Sequence, residues 1–197
     1  IECDADEMPG MDGSAYAMAL AIHQAGMKTF AKPARFYSIQ HPIRVGNDAS
    51  YVDASPCDSQ GLTLMYHLDY GPECPIPSTS STYSLQPIEF LNAIAPARTF
   101  LMEKDAEQLQ QTGLAQHVTY RDLVIFGDSG PIDNQLRFPD ECSRHKLLDL
   151  IGDLALSGLR LQGMVFAYRS GHNLNGLMAE RLHHSYTTSV PPIGMVA

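Results

Sequence analysis

The feature that most constrains the fold is the segment 140–156, which carries the strongest helical pattern in the chain. Pro139 precedes it and Asp140 is a suitable N-cap, so the pattern predicts a helix that begins here. Its apolar side chains recur at helical spacing and form one stripe: Leu147, Leu148, Ile151, Leu154 and Ala155. Because a helix with one apolar stripe must bury it against another element, the chain needs a packing partner for this helix.

The rest of the chain supplies strands that can serve as this partner. Short runs rich in β-branched and aromatic residues lie at 35–39, 43–45, 50–53, 62–68 and 164–168, with further candidates at 83–85 and 123–126. Helices are predicted over 15–25, 87–95, 104–111 and 175–183. A group of strands followed by helices, with one helical excursion between strands, predicts an α+β fold.

Composition narrows the class of protein further. The 197 residues are 44% hydrophobic and 18% charged, which is typical of a globular chain and excludes disorder, collagen and coiled coil as the main architecture. The net charge of -9 argues against a nucleic-acid-binding surface, which needs clustered Lys and Arg. No apolar run approaches the roughly 20 residues that span a bilayer. We therefore expect neither nucleic acid as a partner nor a transmembrane segment.

The cysteines and the start of the chain limit its setting. None of the four cysteines belongs to a CxxC pair, which argues against a zinc ribbon or thioredoxin motif, and we expect reduced thiols. The chain begins at Ile1 with no Met and no visible signal peptide, so a fragment or a processed chain is expected. Its length corresponds to one domain or somewhat more, at about 150 residues per domain.

Three polar residues share one face of the predicted helix at 140–156. His145, Asp149 and Asp153 lie at i, i+4 and i+8, and about 100° per residue keeps them on one side. A His and an Asp one turn apart can bind one metal ion. Spacing alone favours the simpler alternative of a solvated face with a local His–Asp pair, because two ligands do not make a zinc site.

Two other segments contain side chains that can perform acid–base or oxyanion chemistry. His172 follows a predicted strand in a Gly-containing loop, where a His is well placed for proton transfer. Its alternative is a surface histidine, which is the commoner case. Thr99 carries a hydroxyl that can donate to an oxyanion, and its alternative is a strand residue or a helix cap.

Five motifs occur together in one order along the chain. They are Met11-Asp12-Gly13-Ser14-Ala15, Ala97-Arg98-Thr99-Phe100, Leu136-Arg137-Phe138, Arg144-His145-Lys146-Leu147-Leu148-Asp149-Leu150-Ile151-Gly152-Asp153-Leu154 and Tyr168-Arg169-Ser170-Gly171-His172. With these motifs the chain resembles the UDP-3-O-acyl-N-acetylglucosamine deacetylase family, the zinc amidases of lipid A biosynthesis. The resemblance runs from Ile1 to about Leu182, and the segment 144–153 is its most specific element.

The resemblance implies two related domains with the active site between them, each a two-layer packing of a sheet against helices. Residues 1–31 would be the last strand and helix of the first, truncated domain. Residues 32–197 would be the second domain with a C-terminal tail. An insert at about 101–126, built as strand, helix and strand, would line a passage for the acyl chain of the substrate.

The resemblance also implies a role for each matched polar residue on the helix and after the last strand. His145 and Asp149 would be two of the three ligands of one catalytic Zn²⁺ ion. His172 would be the general acid that protonates the leaving amine, and Asp153 would be the carboxylate that orients it. These roles agree with the chemistry of the side chains, because a carboxylate orients a His that must donate a proton near neutral pH.

Further residues would serve the substrate. Thr99 would help to hold the oxyanion, while Lys146 and Phe100 would contact the substrate. The implied reaction is hydrolysis of the N-acetyl amide of UDP-3-O-acyl-N-acetylglucosamine with release of acetate, the committed step of lipid A biosynthesis. The implied enzyme is a cytoplasmic monomer of a Gram-negative type of bacterium.

The sequence departs from the family pattern in two places. The third zinc ligand and the general-base Glu of the family belong to the first domain, so we expect both upstream of Ile1 and expect the visible chain alone to be inactive. The family has Gly-Gly-Ser where this chain has His117-Val118-Thr119, which leaves the shape of the acyl passage and the acyl length open.

Two other functions are compatible with the same fold. The chain could belong to a non-catalytic relative that binds a sugar nucleotide without zinc. The presence of all the matched polar residues argues against such a decayed site. It could also be a different amide hydrolase with the same metal geometry, which would not require both the UDP group and the acyl chain.

Overall fold

The computed structural model describes residues 2, 4, 8–31, 34–58, 60–111, 119 and 122–189. Its helices are α1 (Tyr16–Ala25), α2 (Pro87–Glu89), α3 (Glu103–Gln111), α4 (Glu141–Ala155) and α5 (His172–Ser189), and a π-helix at Phe90–Ile94 continues α2. Its strands are β1 (Tyr37–Ser38), β2 (Ile43–Asn47), β3 (Ser50–Ser55), β4 (Leu62–Leu68), β5 (Thr79–Ser84), β6 (Phe100–Met102), β7 (Val124–Gly127), β8 (Gly130–Pro131) and β9 (Leu161–Tyr168). The predicted α+β class is confirmed.

The main sheet is built around β9. Its strand order is β2-β3-β9-β4-β5, and β1 pairs in parallel with the start of β9. The β4–β9 pair is parallel, whereas β2–β3, β3–β9 and β4–β5 are antiparallel. Hairpin partners thus lie at both edges, and the last strand of the chain enters the middle of the sheet.

Helices α4 and α5 cover one face of this sheet. α4 contacts β4 and β5, while α5 contacts β2 and β3. Alternate strand residues point toward these helices and form the buried core, among them Val52, Ala54, Leu64, Tyr66, Leu68, Val165 and Ala167. The expected two-layer packing of sheet against helices is therefore present, as strand periodicity requires when only one face is covered.

The buried stripe of α4 differs in part from the predicted one. Leu147 and Leu154 are buried and Ile151 packs against the core, as expected. Leu150 is also fully buried, whereas Ala155 is exposed. The true stripe runs through Leu147, Leu150 and Leu154, because this spacing points the side chains directly at β4 and β5.

A second, smaller sheet holds the strand–helix–strand excursion. β6 and β7 are parallel and joined through α3, and β8 adds an antiparallel third strand. Ala106 of α3 is buried against Leu123 and Ile125, which gives this unit its own apolar cluster. The predicted arrangement of strand, helix and strand near 101–126 is present. Residues 112–118, 120 and 121 are outside the described residues. This gap includes His117 and Val118, two of the three residues at which the sequence departs from the family pattern.

Local differences from the sequence predictions follow from hydrogen bonding. β5 spans Thr79–Ser84 although its sequence is polar, because β4 supplies its backbone partners along the whole strand. α5 begins at His172, earlier than the predicted start at 175. α1 has Ala15 as its N-cap, which cannot form a side-chain capping hydrogen bond, and neither Asp12 nor Ser14 is the N-cap. Asp12 instead accepts hydrogen bonds from Ser14 and Arg137.

The chain ends lie partly outside the described ranges. Glu2 and Asp4, in the segment 1–31 that is expected to hold a strand and a helix, are not in a strand, and Ile1 and Cys3 are not among the described residues. Thr187 and Thr188 belong to α5 and are therefore not part of the expected C-terminal tail. Among the described residues, no helix has the length and apolar content needed to cross a bilayer.

A buried ion pair joins α4 to the smaller sheet. Arg98 and Glu141 are 4% and 0% exposed, and Arg98 Nε lies 2.8 Å from Glu141 Oε1. The other carboxylate oxygen accepts from Arg98 Nη2 at 3.1 Å and from the backbone N–H of Arg137 at 2.6 Å. The backbone N–H of Arg98 donates to Oε1 at 3.0 Å. The carboxylate is thus surrounded by donors.

The guanidinium of Arg98 is satisfied in the same way. Its Nη1 donates to Asn134 Oδ1 at 2.9 Å, and its Nη2 donates to the carbonyl oxygen of Gln135 at 2.7 Å. Asn134 in turn donates to the carbonyl oxygen of Leu123, just before β7. Arg98 therefore ties the start of β6, the loop before α4 and the first turn of α4 into one network.

We predict that Glu141→Gln lowers the free energy of unfolding by about 3–5 kcal/mol, because it leaves the Arg98 charge buried without its counter-charge. Urea unfolding followed by circular dichroism measures the change. Asp53→Asn is the matched control, since its partner Arg44 pairs with it at the exposed sheet surface and the loss there should be clearly smaller. Equal losses in the two variants would contradict the prediction.

Candidate functional site

Helix α4 brings His145 and Asp149 together at its partly buried edge. His145 Nε2 lies 3.5 Å from Asp149 Oδ1, and their side chains are 11% and 16% exposed. The i, i+4 spacing places both side chains on the same side of the helix because each turn takes about 3.6 residues. These two residues, predicted as metal ligands, therefore bring one nitrogen and one oxygen atom that can bind a metal ion within 3.5 Å of each other.

The other ring nitrogen of His145 is held by the backbone. Nδ1 lies 3.1 Å from the carbonyl oxygen of Ala97, and because a carbonyl only accepts, Nδ1 carries the hydrogen. Nε2 then keeps its lone pair on the side of Asp149. Burial lowers the pKa of His145, although Asp149 and the Ala97 contact act in the opposite direction. The neutral imidazole is the form that binds a metal ion.

Lys146 shares the same carboxylate. Its Nζ lies 2.7 Å from Asp149 Oδ2, so the two oxygens of Asp149 face different partners. Lys146 balances the charge of Asp149 while the opposite oxygen stays directed at His145. The side chain of Lys146, predicted to contact the substrate, is only 14% exposed in this pairing.

A second His–carboxylate pair lies on the same face of α4. His172 Nδ1 is 3.0 Å from Asp153 Oδ2 and 3.2 Å from Oδ1. The His172 side chain is 71% exposed, whereas that of Asp153 is 16% exposed. The sequence placed His172 in a loop, but it is the first residue of α5, because its backbone already belongs to the first turn. The exposed ring is available to a ligand.

Thr99 lies where the N-terminal loop meets the smaller sheet. Its N–H donates to the carbonyl oxygen of Gly13 at 3.0 Å, and its own carbonyl accepts from Val124 at 3.1 Å. Gly13 has a φ of +72°, and a Cβ there would come within 2.5 Å of Thr99 Cγ2. Gly13 is therefore required for the close approach of this loop to Thr99.

Phe100 is mostly buried at 9% exposure and borders His145. Its ring meets the His145 ring edge-on, with centroids 6.1 Å apart, and the Tyr70 ring at 6.4 Å. Burial raises the pKa of Tyr70. Phe100 therefore forms part of the apolar wall behind the imidazole, and its predicted contact with a substrate stays a prediction.

The described residues contain no group of three or more His, Cys, Asp or Glu side chains that could hold a metal ion. His145 and Asp149 supply two donors of the nitrogen and oxygen type that zinc accepts. Other described histidines lie elsewhere: His67 bonds Ser80 Oγ on the sheet, and His183 bonds the carbonyl oxygen of Ser157. The nitrogen of His145 and the oxygen of Asp149 are ligand types that zinc accepts, but two ligands are fewer than the three protein ligands of a catalytic zinc site.

Two residues beside the site, Asn175 and Arg144, were missed by sequence reasoning. Asn175 is fully buried and donates to Asp153 Oδ2 at 2.9 Å. Arg144 bonds Asp140 Oδ1 and the carbonyl of Ala93, and its guanidinium lies 4.0 Å from the centre of the Phe138 ring. The i+3 spacing from His172 is the signal that could have indicated Asn175.

Comparison with known proteins assigns the chain to a family. The family model for UDP-3-O-acyl N-acetylglycosamine deacetylase matches residues 1–184. Curated proteins named UDP-3-O-acyl-N-acetylglucosamine deacetylase match as well. The one from Solibacter usitatus is 34% identical over 92% of this chain and 61% of its own length.

Two further relatives carry the same name. The protein from Chlamydia abortus is 33% identical over 92% of this chain and 65% of its own length. The protein from Actinobacillus succinogenes is 35% identical over 92% of this chain and 60% of its own length. The chain thus spans about three fifths of the length of the curated relatives it matches, and it belongs to the UDP-3-O-acyl N-acetylglycosamine deacetylase family.

Proposed function

We propose that this chain is part of a zinc-dependent enzyme that hydrolyses the N-acetyl amide of UDP-3-O-acyl-N-acetylglucosamine and releases acetate, in lipid A biosynthesis. The observation that carries the proposal is the pairing of His145 with Asp149 and of His172 with Asp153 along one face of α4. Membership of a family whose curated relatives bear this name supports the substrate.

The metal would be held by His145 and Asp149. Nε2 of His145 has its lone pair available because Nδ1 donates to Ala97, and the nearer Asp149 oxygen is not the one bound to Lys146. A catalytic zinc site needs three protein ligands. We propose that the third ligand and the general base come from a first-domain segment that is not among these 197 residues.

When bound, zinc supplies a Lewis acid for the amide carbonyl and a water of lowered pKa. The chain's own residues would handle the remaining charges and protons. His172 would donate a proton to the amine nitrogen as the carbon–nitrogen bond breaks, so that the amine leaves neutral and acetate keeps the oxygen from water. Asp153 would hold the His172 ring with its other nitrogen directed at the substrate.

Three residues would bind and orient the substrate. The Thr99 hydroxyl would donate to the carbonyl oxygen as negative charge develops on it. Lys146 would meet anionic substrate groups and Phe100 would supply an apolar wall beside the metal site. The position of Lys146 next to Asp149 and of Phe100 next to His145 supports these two roles.

We further propose the domain division that the family resemblance implies. Residues 1–31 would belong to the first domain and 32–197 to the second, with an acyl passage beside the excursion at about 101–126. The exposure of apolar residues around α1 supports this division, because Ile22, Met27 and Phe30 lack cover among the described residues.

The setting of the enzyme is also a proposal. We propose a cytoplasmic monomer that does not bind nucleic acid. The net charge of -9 supports the last point, since a nucleic-acid surface needs clustered positive charge. An anionic UDP-sugar would then be met by single cations such as Lys146.

We predict that His145→Ala, made in the protein at its full encoded length, removes bound zinc and zinc-dependent deacetylation. Zinc content is measured by atomic emission, and turnover by acetate release from UDP-3-O-acyl-N-acetylglucosamine. His184→Ala is the matched control, because this exposed histidine near the end of α5 lies outside the site.

Normal zinc content and turnover in His145→Ala would refute the metal assignment. A non-catalytic relative would give a different result in the unchanged protein, which would bind the UDP-sugar without zinc and release no acetate. An amide hydrolase of another specificity would release acetate from substrates that lack the UDP group or the acyl chain.

A pH-dependent loss of stability follows from the burial of His145. Its pKa lies below the ordinary value near 6.5, so the unfolded state binds the proton more readily as the pH falls through that value. In metal-free protein we therefore predict that stability decreases from pH 7.5 to 5.5. His145→Gln should reduce this decrease, as measured by urea unfolding at each pH. An unchanged decrease in the variant would contradict the prediction.

A further inference from the structure

Asn175 contacts the carboxylate that holds His172. Asp153 Oδ2 accepts from Asn175 Nδ2 at 2.9 Å and lies 3.0 Å from His172 Nδ1. Asn175 is 0% exposed in the first turn of α5, whereas the His172 side chain is 71% exposed. One carboxylate oxygen thus receives a buried donor and an exposed one.

The orientation of the Asn175 amide is fixed from its other end. Ser170 Oγ lies 2.8 Å from Asn175 Oδ1, where the hydroxyl donates to the amide oxygen. Because the ionised carboxylate of Asp153 only accepts, the NH₂ group of Asn175 must face it. Both ends of the amide are therefore satisfied in one orientation only.

The strand–helix turn that carries Ser170 is attached to the centre of the sheet. The hydroxyl of Tyr66, on β4, donates to the carbonyl oxygen of Ser170, and Tyr66 is 1% exposed. The backbone N–H of Asn175 donates to the carbonyl of Gly171 at 3.0 Å and completes the first turn of α5. A continuous chain of hydrogen bonds runs from the core of the sheet to Asp153.

We propose that Asn175 is a positioning residue, which holds the Asp153 carboxylate in the orientation that fixes the ring of His172. This inference rests on the proposed function, in which His172 donates a proton. Packing does little to hold the exposed imidazole, so its direction depends on the carboxylate. The carboxylate in turn depends on a donor that is itself immobile, and the buried Asn175 amide is such a donor.

The first test compares Asn175→Ala with Asn173→Ala in the protein at its full encoded length. Asn173 lies in the same turn of α5 but is exposed. We expect kcat of Asn175→Ala to fall about tenfold or more, which is less than the roughly 100- to 10,000-fold loss expected when a general acid itself is removed. KM should change less than twofold. Asn173→Ala should keep both values.

A second variant guards against a folding defect in Asn175→Ala. Asn175→Leu keeps the approximate volume of the side chain but has no group that can donate to Asp153. We expect the same loss of kcat, with circular dichroism like that of the unchanged protein. Equal kcat in Asn175→Leu, Asn173→Ala and unchanged protein would overturn the proposal.

A double-mutant cycle separates positioning from a general structural effect. If Asn175 acts through Asp153, adding Asn175→Ala to Asp153→Ala causes no further loss of kcat. A merely structural role would give losses that multiply, and this result would overturn the proposal. A positioning role predicts that kcat of the double variant equals that of Asp153→Ala.

Nitrogen NMR of the imidazole ring tests the same idea without turnover. In the unchanged protein we expect the His172 ring to carry its hydrogen on Nδ1, and His172→Gln assigns the signal. In Asn175→Ala the two tautomers should mix, and in Asn173→Ala they should not. An unchanged tautomer in Asn175→Ala overturns the proposal. If the NMR result is as expected but the unchanged protein does not deacetylate the substrate, only the proposed function is refuted.

Discussion

The Arg98–Glu141 ion pair is the interaction on which the arrangement of the site depends. Removing both charges from water is unfavourable, and the structure offsets this by giving the carboxylate and the guanidinium a full set of hydrogen bonds. These bonds connect β6, the loop before α4 and the first turn of α4. The chain segments cannot shift separately without leaving a buried charge unpaired.

This network fixes the neighbours of Arg98 relative to His145. Ala97 supplies the carbonyl that receives Nδ1 of His145, and Thr99 follows Arg98 at the start of the smaller sheet. Glu141 lies one helical turn before His145 on α4. The tautomer of the imidazole is therefore set by backbone that the ion pair holds in place.

The histidines of the two His–carboxylate pairs have opposite environments, although both carboxylates belong to α4. His145 is buried, and burial lowers its pKa, so it suits a metal ligand. His172 is exposed at the start of α5, as the proposed proton donation to a substrate requires. The different depths follow from the fold, because Ala97 and the ring of Phe100 lie against His145, whereas His172 begins α5 just after β9.

The sequence by itself determined the elements with strong periodicity. β4 has the predicted bounds, and α4 lies within the predicted 140–156, because both carry regular apolar patterns that bury one side. The same periodicity placed His145, Asp149 and Asp153 on one face. Only the tertiary structure decided the extent of the polar strand β5, the pairing of Arg98 with Glu141 and the hydrogen bond of Asn175 to Asp153. These depend on partners distant in sequence, which local spacing cannot reveal.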